Sequence, residues 1–204
     1  IVAERKLKLQ TYDISGEQIA SFQAYHPSFN NGVNLALGDT NGDGKLEIIT
    51  GPRPGGGPHV KILSQEGEEL SQFMAFPESF HGGISVAAGD INADNTDEVI
   101  VGVGSGGVPT VRIFDELGNL LRQFSPYDNT YTSGVNVAVG DVDRDGWVDI
   151  IVAPQAGKKP IRVFDRFGRL QYQFDSYPFS FRGGINVAVG DIDGDGSLDI
   201  LTAP

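Results

Sequence analysis

An all-β fold, a β-propeller of four-stranded antiparallel blades, is what this sequence predicts, on three observations. An acidic loop recurs four times, its first residues Asp39, Asp90, Asp141 and Asp191 separated by 51, 51 and 50 positions. Self-similarity at such a period marks a repeat architecture. Each repeat also holds short apolar segments divided by turn residues, the pattern of hairpin-linked strands. Glycine, at 28 of 204 residues, is too abundant for helices and suits a chain dense in turns.

Within one repeat, strand A precedes the acidic loop, at 33–37, 84–88, 135–139 and 185–189. Each copy reads Val or Ile, then Asn or Ser, then Val or Leu, Ala, a small or branched apolar residue, and Gly-Asp. Strand B follows the loop as LEIIT, EVIVG, VDIIVA or LDILTA, near-continuous apolar runs suited to burial on both faces. Strand C (VKIL, VRIF, IRVF) alternates its faces, and strand D ends in aromatics. Between C and D stands Asp13 to Gly16, Asp115 to Gly118 and Asp165 to Gly168, with Ser64 to Gly67 in the remaining copy. An Asp opening a turn that closes on a left-handed Gly is a hairpin signal.

The aromatics repeat too. Phe22, Tyr25 and Phe29 recur as Phe73, Phe76 and Phe80, as Phe124, Tyr127 and Tyr131, and as Phe174, Tyr177 and Phe181. Recurrence in every copy favours packing within and between blades over a stacking surface for sugars or bases. The chain is read as one domain, 1–204, with repeats at about 33–83, 84–134 and 135–184 and a last one assembled from 185–204 plus 1–32. That phase predicts closure, with 6–12 pairing against 198–203 and residues 1–3 completing a B strand. The product is a four-bladed ring without open edges.

The acidic loops carry the chemistry. Asp39, Asn41, Asp43 and Glu47 form the first, and Asp90, Asn92, Asp94 and Glu98 the second. Asp141, Asp143, Asp145 and Asp149 form the third, and Asp191, Asp193, Asp195 and Asp199 the fourth. Alternate side-chain oxygens before a permissive turn can wrap one hard cation, and a main-chain carbonyl at the seventh position (Lys45, Thr96, Trp147, Ser197) would complete the set. Oxygen-only donors at this spacing suit Ca²⁺ better than Mg²⁺, so about four Ca²⁺ per chain are expected. The second loop is expected to bind weakest, having one carboxylate fewer than the last two and Asn95 where the others have Gly. Its neighbour Asp97 reads as a solvent-facing charge.

Charge agrees. Three carboxylates in each of the first two loops and four in each of the last two make fourteen, and without them the formal charge of −12 would be +2. Acidity concentrated in this way argues against nucleic acid as a partner. No apolar run reaches 18 residues, so no membrane insertion is expected. There are no cysteines, leaving bound calcium as the available staple.

The phrase GVNVAVGDVDRDGWVDIIVAP at 134–154 resembles the FG-GAP repeats of integrin α-chain propellers and related calcium-binding bacterial repeats. The resemblance covers nearly the whole chain, although the FG portion reads FNNG, FHGG, YTSG and FRGG and the GAP portion TGP, VGV, VAP and TAP. It implies a propeller with Ca²⁺ in the A–B loops, opposite the face that usually binds ligand. It also implies a ring of seven blades in place of four; two four-bladed chains, or a longer parent chain, could build a larger ring.

For function the sequence supports an extracellular or cell-surface recognition or adhesion module that binds a protein or glycan through variable loops opposite the calcium face. It is read as a monomer, or a dimer completing a larger ring. Arg53, His59, His81, Lys158, Lys159 and Arg182 are the candidate ligand residues, because the repeats diverge there. Phe179 belongs to the same surface. The alternatives are a calcium-rigidified structural repeat and a glycan-active enzyme or accessory domain. Catalysis is set aside because no histidine recurs in all copies and no nucleophile motif accompanies one. GVGSGG at 102–107 imitates a dinucleotide fingerprint but leads into β-formers, not the helix that motif needs.

Overall fold

The computed structural model describes residues 8–178 and 180–204, and every regular element among them is a strand. Three complete blades have the order A-B-C-D. The first comprises β3 (Val33–Gly38), β4 (Glu47–Pro52), β5 (His59–Leu63) and β6 (Glu69–Met74). The second comprises β7 (Ile84–Gly89), β8 (Glu98–Val103), β9 (Val111–Phe114) and β10 (Leu120–Phe124). The third comprises β11 (Val135–Gly140), β12 (Asp149–Pro154), β13 (Ile161–Phe164) and β14 (Leu170–Phe174). Two half-blades flank them: the C–D hairpin β1 (Leu9–Tyr12) with β2 (Gln18–Phe22), and the A–B hairpin β15 (Asn186–Gly190) with β16 (Asp199–Ala203).

Burial follows the sequence pattern. The B strands β4, β8 and β12 are buried at every residue, as near-continuous apolar runs require. The turns form as their residues dictate. Asp115 Oδ1 accepts the Leu117 and Asn119 amides, and Gly118 at φ 82° ends the turn beside a shifted register between β9 and β10. Asp13 and Asp165 accept the equivalent pairs, and the Ser64 hydroxyl does so in the first blade.

The cores lie between blades, and the recurring residues explain how. A strands pack in sequence, β3 on β7, β7 on β11 and β11 on β15. Their second residue ties each step: Asn34 donates to the Ile84 carbonyl at 2.7 Å, Ser85 to Val135 at 2.8 Å, and Asn136 to Ile185 at 2.8 Å. The aromatic near the end of β2, β6 and β10 lies over the C–D turn of the next blade, Phe22 at Gly67, Phe73 at Gly118 and Phe124 at Gly168. Tyr127 reaches across to the Val152 and Pro160 carbonyls, as Tyr25 does to those of Thr50 and His59. The packing reading of the aromatics holds at these positions.

Closure does not. β1 pairs with β2 and β16 with β15, in separate sheets, so 9–12 does not meet 199–203. Tyr12 is 54 % exposed where Phe114 and Phe164 are 4 %, and Leu201 is 41 % exposed where Ile49, Ile100 and Ile151 are 0 %. The same interlock repeats at every step and fixes the turn from blade to blade, and these steps do not bring β16 to β1. The parts of the closure reading that fall on residues 1–7 lie outside the described residues.

Candidate calcium loops and the opposite face

Each A–B loop is built around its first Asp. Asp39 Oδ1 accepts the Gly42 and Asp43 amides at 2.8 and 3.1 Å, and its Oδ2 accepts Gly44 at 2.9 Å. Asp90 holds Ala93, Asp94 and Asn95 in the same way; Asp141 holds Asp145 and Gly146; Asp191 holds Gly194 and Gly196. Third-position side chains close a smaller turn, with Asn41, Asp143 and Asp193 each accepting the amide two residues on. The fifth-position acids Asp43, Asp94, Asp145 and Asp195 accept the amides of Lys45, Thr96, Trp147 and Ser197. All four loops therefore share one backbone course, although their side chains differ.

That course needs left-handed backbone at two positions. The sixth is anticipated from Gly44, Asn95, Gly146 and Gly196, whose φ values run from 69° to 88°. The fourth is a finding of the structure: Gly42 and Gly194 share it with Ala93 at φ 63° and Arg144 at φ 62°. A side chain there is strained, which is why this requirement is hidden in two of the four copies.

The ninth-position acids seal the loops from below. Glu47, Glu98 and Asp149 are buried on the first residue of their B strands. Glu47 accepts the Thr40 amide and hydroxyl, Glu98 accepts Ile91, Asp149 accepts Val142 and Asp199 accepts Ile192. Burial, reinforced by the neighbouring loop carboxylates, pushes Glu98 and Asp149 up to about 6. A cation placed among these groups reverses that penalty.

The donors fit calcium best in the last two loops. Carboxylate oxygens of Asp141, Asp143 and Asp149 lie within 4.8 Å of one another, and so do those of Asp191, Asp193 and Asp195. Ligands at 2.3–2.6 Å from one ion stand up to roughly 5 Å apart across it, so the spacing suits Ca²⁺. The first two loops place Asn41 and Asn92 against Glu47 and Glu98 instead.

Asp97 departs from its solvent-facing assignment. Its carboxylate accepts the Asp39 amide at 2.9 Å, and its own amide donates to the Asp39 carbonyl at 2.8 Å. It clamps the second loop onto the first, and desolvation raises its pKa. Val148 and Leu198 occupy the same loop position and lie against Gly89 and Gly140 of the preceding blade, as Asp97 lies against Gly38.

The B–C and D–A connections gather at the other end of the strands, where Val33 pairs with Pro52, far from the Gly38–Glu47 end. They are laced together, Gly55 N–H to the His81 carbonyl, Gly106 to Thr132 and Gly157 to Arg182. His59 and His81 line one cavity of about 480 Å³ with His26, Tyr25, Phe29 and Lys61. His26, absent from the candidate residues, joins them only through folding. Lys158 and Lys159 line a separate cavity of about 130 Å³ with Tyr177 and Phe181, and Lys159 pairs with Asp128. Arg53 bonds Asn34 and Arg182 the Phe181 carbonyl, outside the first cavity. Phe179 lies outside the described residues. The glycines of 102–107 serve backbone crossing, with Gly104 bonded to the Gly83 carbonyl, and β9 follows them.

No family model matches the chain. It is 26 % identical over 156 residues to integrin alpha pat-2 of Caenorhabditis elegans, a match covering 62 % of this chain and 13 % of that protein. Among solved structures it is similar to rhamnogalacturonan lyase YesW (TM-score 0.58, 16 % identity, 94 % of this chain and 42 % of that one). It is also similar to the Dos1 propeller (TM-score 0.55, 17 % identity, 89 % and 44 %). These likenesses show the propeller fold, and the chain spans less than half the length of each of these proteins. They support an integrin-like repeat. They also correct the reading that sets catalysis aside, since the same architecture is found in a lyase and the fold excludes no enzyme. No helix among the described residues is long and apolar enough to cross a membrane.

Proposed function

We propose that this chain is a calcium-stabilised recognition or adhesion propeller of the cell exterior, binding a protein or glycan through the loops opposite its calcium sites. The observation that carries the calcium half is the shared loop course, which gathers three carboxylates within 4.8 Å in each of the last two copies. When bound, the ion supplies a fixed positive charge, and the chain's residues do the rest. The first Asp shapes the loop, the buried ninth acid anchors it to strand B, and Asp97 carries its order to the next blade. About four Ca²⁺ per chain are proposed, with the second loop weakest, since both its strained positions, Ala93 and Asn95, lack glycine.

The recognition half is supported by the similarity to an integrin α chain and by the cavity holding His26, His59 and His81. A glycan array and a panel of extracellular-matrix proteins, probed in calcium and in chelator, test it. Binding that needs calcium and is lost in the double variant His59→Ala/His81→Ala agrees. Binding indifferent to both treatments contradicts it, and ordered end-to-end assembly without ligand would favour a structural repeat.

A further inference from the structure

The calcium-loop face holds an arginine cluster that neither the loops nor the proposed recognition surface uses. Arg122 on β10 and Arg166 and Arg169 in the β13–β14 turn surround one ring, Phe167. Their guanidinium carbons lie 5.1, 4.7 and 5.1 Å from its centroid. Arg166 also stacks on Trp147, the chain's sole tryptophan, at 3.2 Å. Between the second and third blades a cavity of about 180 Å³ opens, lined by Ile91, Asn92, Arg122, Arg166 and Phe167.

Three like charges on one 42 % exposed ring repel one another, and an acidic chain has ample means to neutralise them. It does not. Among the described residues no ion pair or hydrogen bond engages any of the three guanidinium groups. The nearby carboxylates of the second and third loops are turned onto their own backbone amides, Asp90 onto Ala93 and Asn95 and Asp141 onto Asp145 and Gly146. The planar forks of Arg122 and Arg166 are thus left facing a cleft, with Arg169 on the same ring beside it, and such forks match tetrahedral oxyanions two oxygens at a time.

We infer that Arg122, Arg166 and Arg169 form a binding site for a sulfate- or phosphate-type oxyanion, free or carried as an ester on a larger molecule. Contacts with Phe167, and for Arg166 also with Trp147, hold the guanidinium groups in place, so less side-chain order remains to be imposed on binding. The site is independent of the opposite face, and the failure of either reading leaves the other standing.

Trp147 supplies the readout. In saturating calcium, its fluorescence is followed while inorganic sulfate, inorganic phosphate, or a sulfated oligosaccharide and its desulfated counterpart are added. A saturable change is expected with at least one charged probe and none with the desulfated sugar. The affinity should fall at least tenfold in Arg166→Gln and in Arg122→Gln, and partly in Arg122→Lys, which keeps the charge but loses the fork. Response to inorganic ions alone identifies a small-anion site, and preference for the oligosaccharide identifies an ester carried on a glycan. Arg166→Gln alters the environment of Trp147, so retention of Arg122→Gln on an immobilised sulfated oligosaccharide is measured as well. Absence of any saturable response, or equal affinity in Arg122→Gln and the parent, overturns the assignment. So does an equal loss in Lys8→Gln, which removes one exposed positive charge elsewhere.

Discussion

At the scale of single residues, the loops are strained where a side chain occupies left-handed backbone. Ala93 at φ 63° carries a cost of about 1 kcal/mol that Gly42 and Gly194 avoid. Ala93→Gly is therefore expected to stabilise the calcium-free protein by roughly 0.5–1 kcal/mol, read as a higher urea midpoint at unchanged slope. A lower midpoint would show the strain to be imaginary. Asp97→Ala should cost about 1–3 kcal/mol by orphaning the half-buried Asp39 amide, and denaturation of that variant checks it. The sequence makes the sixth loop position plain, because three glycines and an asparagine stand there. It hides the fourth, where Ala93 and Arg144 dilute the signal, and it hides the Asp97 clamp, which spans 58 residues.

At the scale of elements, the repeat motif is a record of contacts made with the next blade. The glycine ending each A strand is the clearest case. A Cβ on Gly38 would sit 2.6 Å from Ala88 Cβ, whereas one on Gly190 meets nothing within 4 Å. Gly38→Ala should lower stability by about 1–3 kcal/mol while Gly190→Ala stays within about 0.5, so equal effects in thermal melts would contradict the interlock. Tyr127→Phe removes a hydroxyl that donates across blades and should cost about 1 kcal/mol by the same assay. Strands, turns and packing aromatics were legible because each depends on local periodicity or turn chemistry. Closure was not, because phase says which strands could pair and only the blade-to-blade turn decides whether they meet.

At the scale of the molecule, fourteen loop carboxylates carry the acidity, and the proposed calcium binding would couple their neutralisation to folding. Calcium bound to folded loops and not to the unfolded chain adds about 2.7 kcal/mol per independent site at 100 times the dissociation constant. Chelation should accordingly lower the melting temperature, and Asp191→Ala should remove one share of that effect. The most direct test of the account is a calorimetric calcium titration of the chelator-stripped chain beside Asp141→Ala and Asp191→Ala. The expected result is about four sites per parent chain, the weakest in the second loop, with one site fewer in each variant. No heat of binding in the parent, or the same stoichiometry in all three proteins, would contradict it.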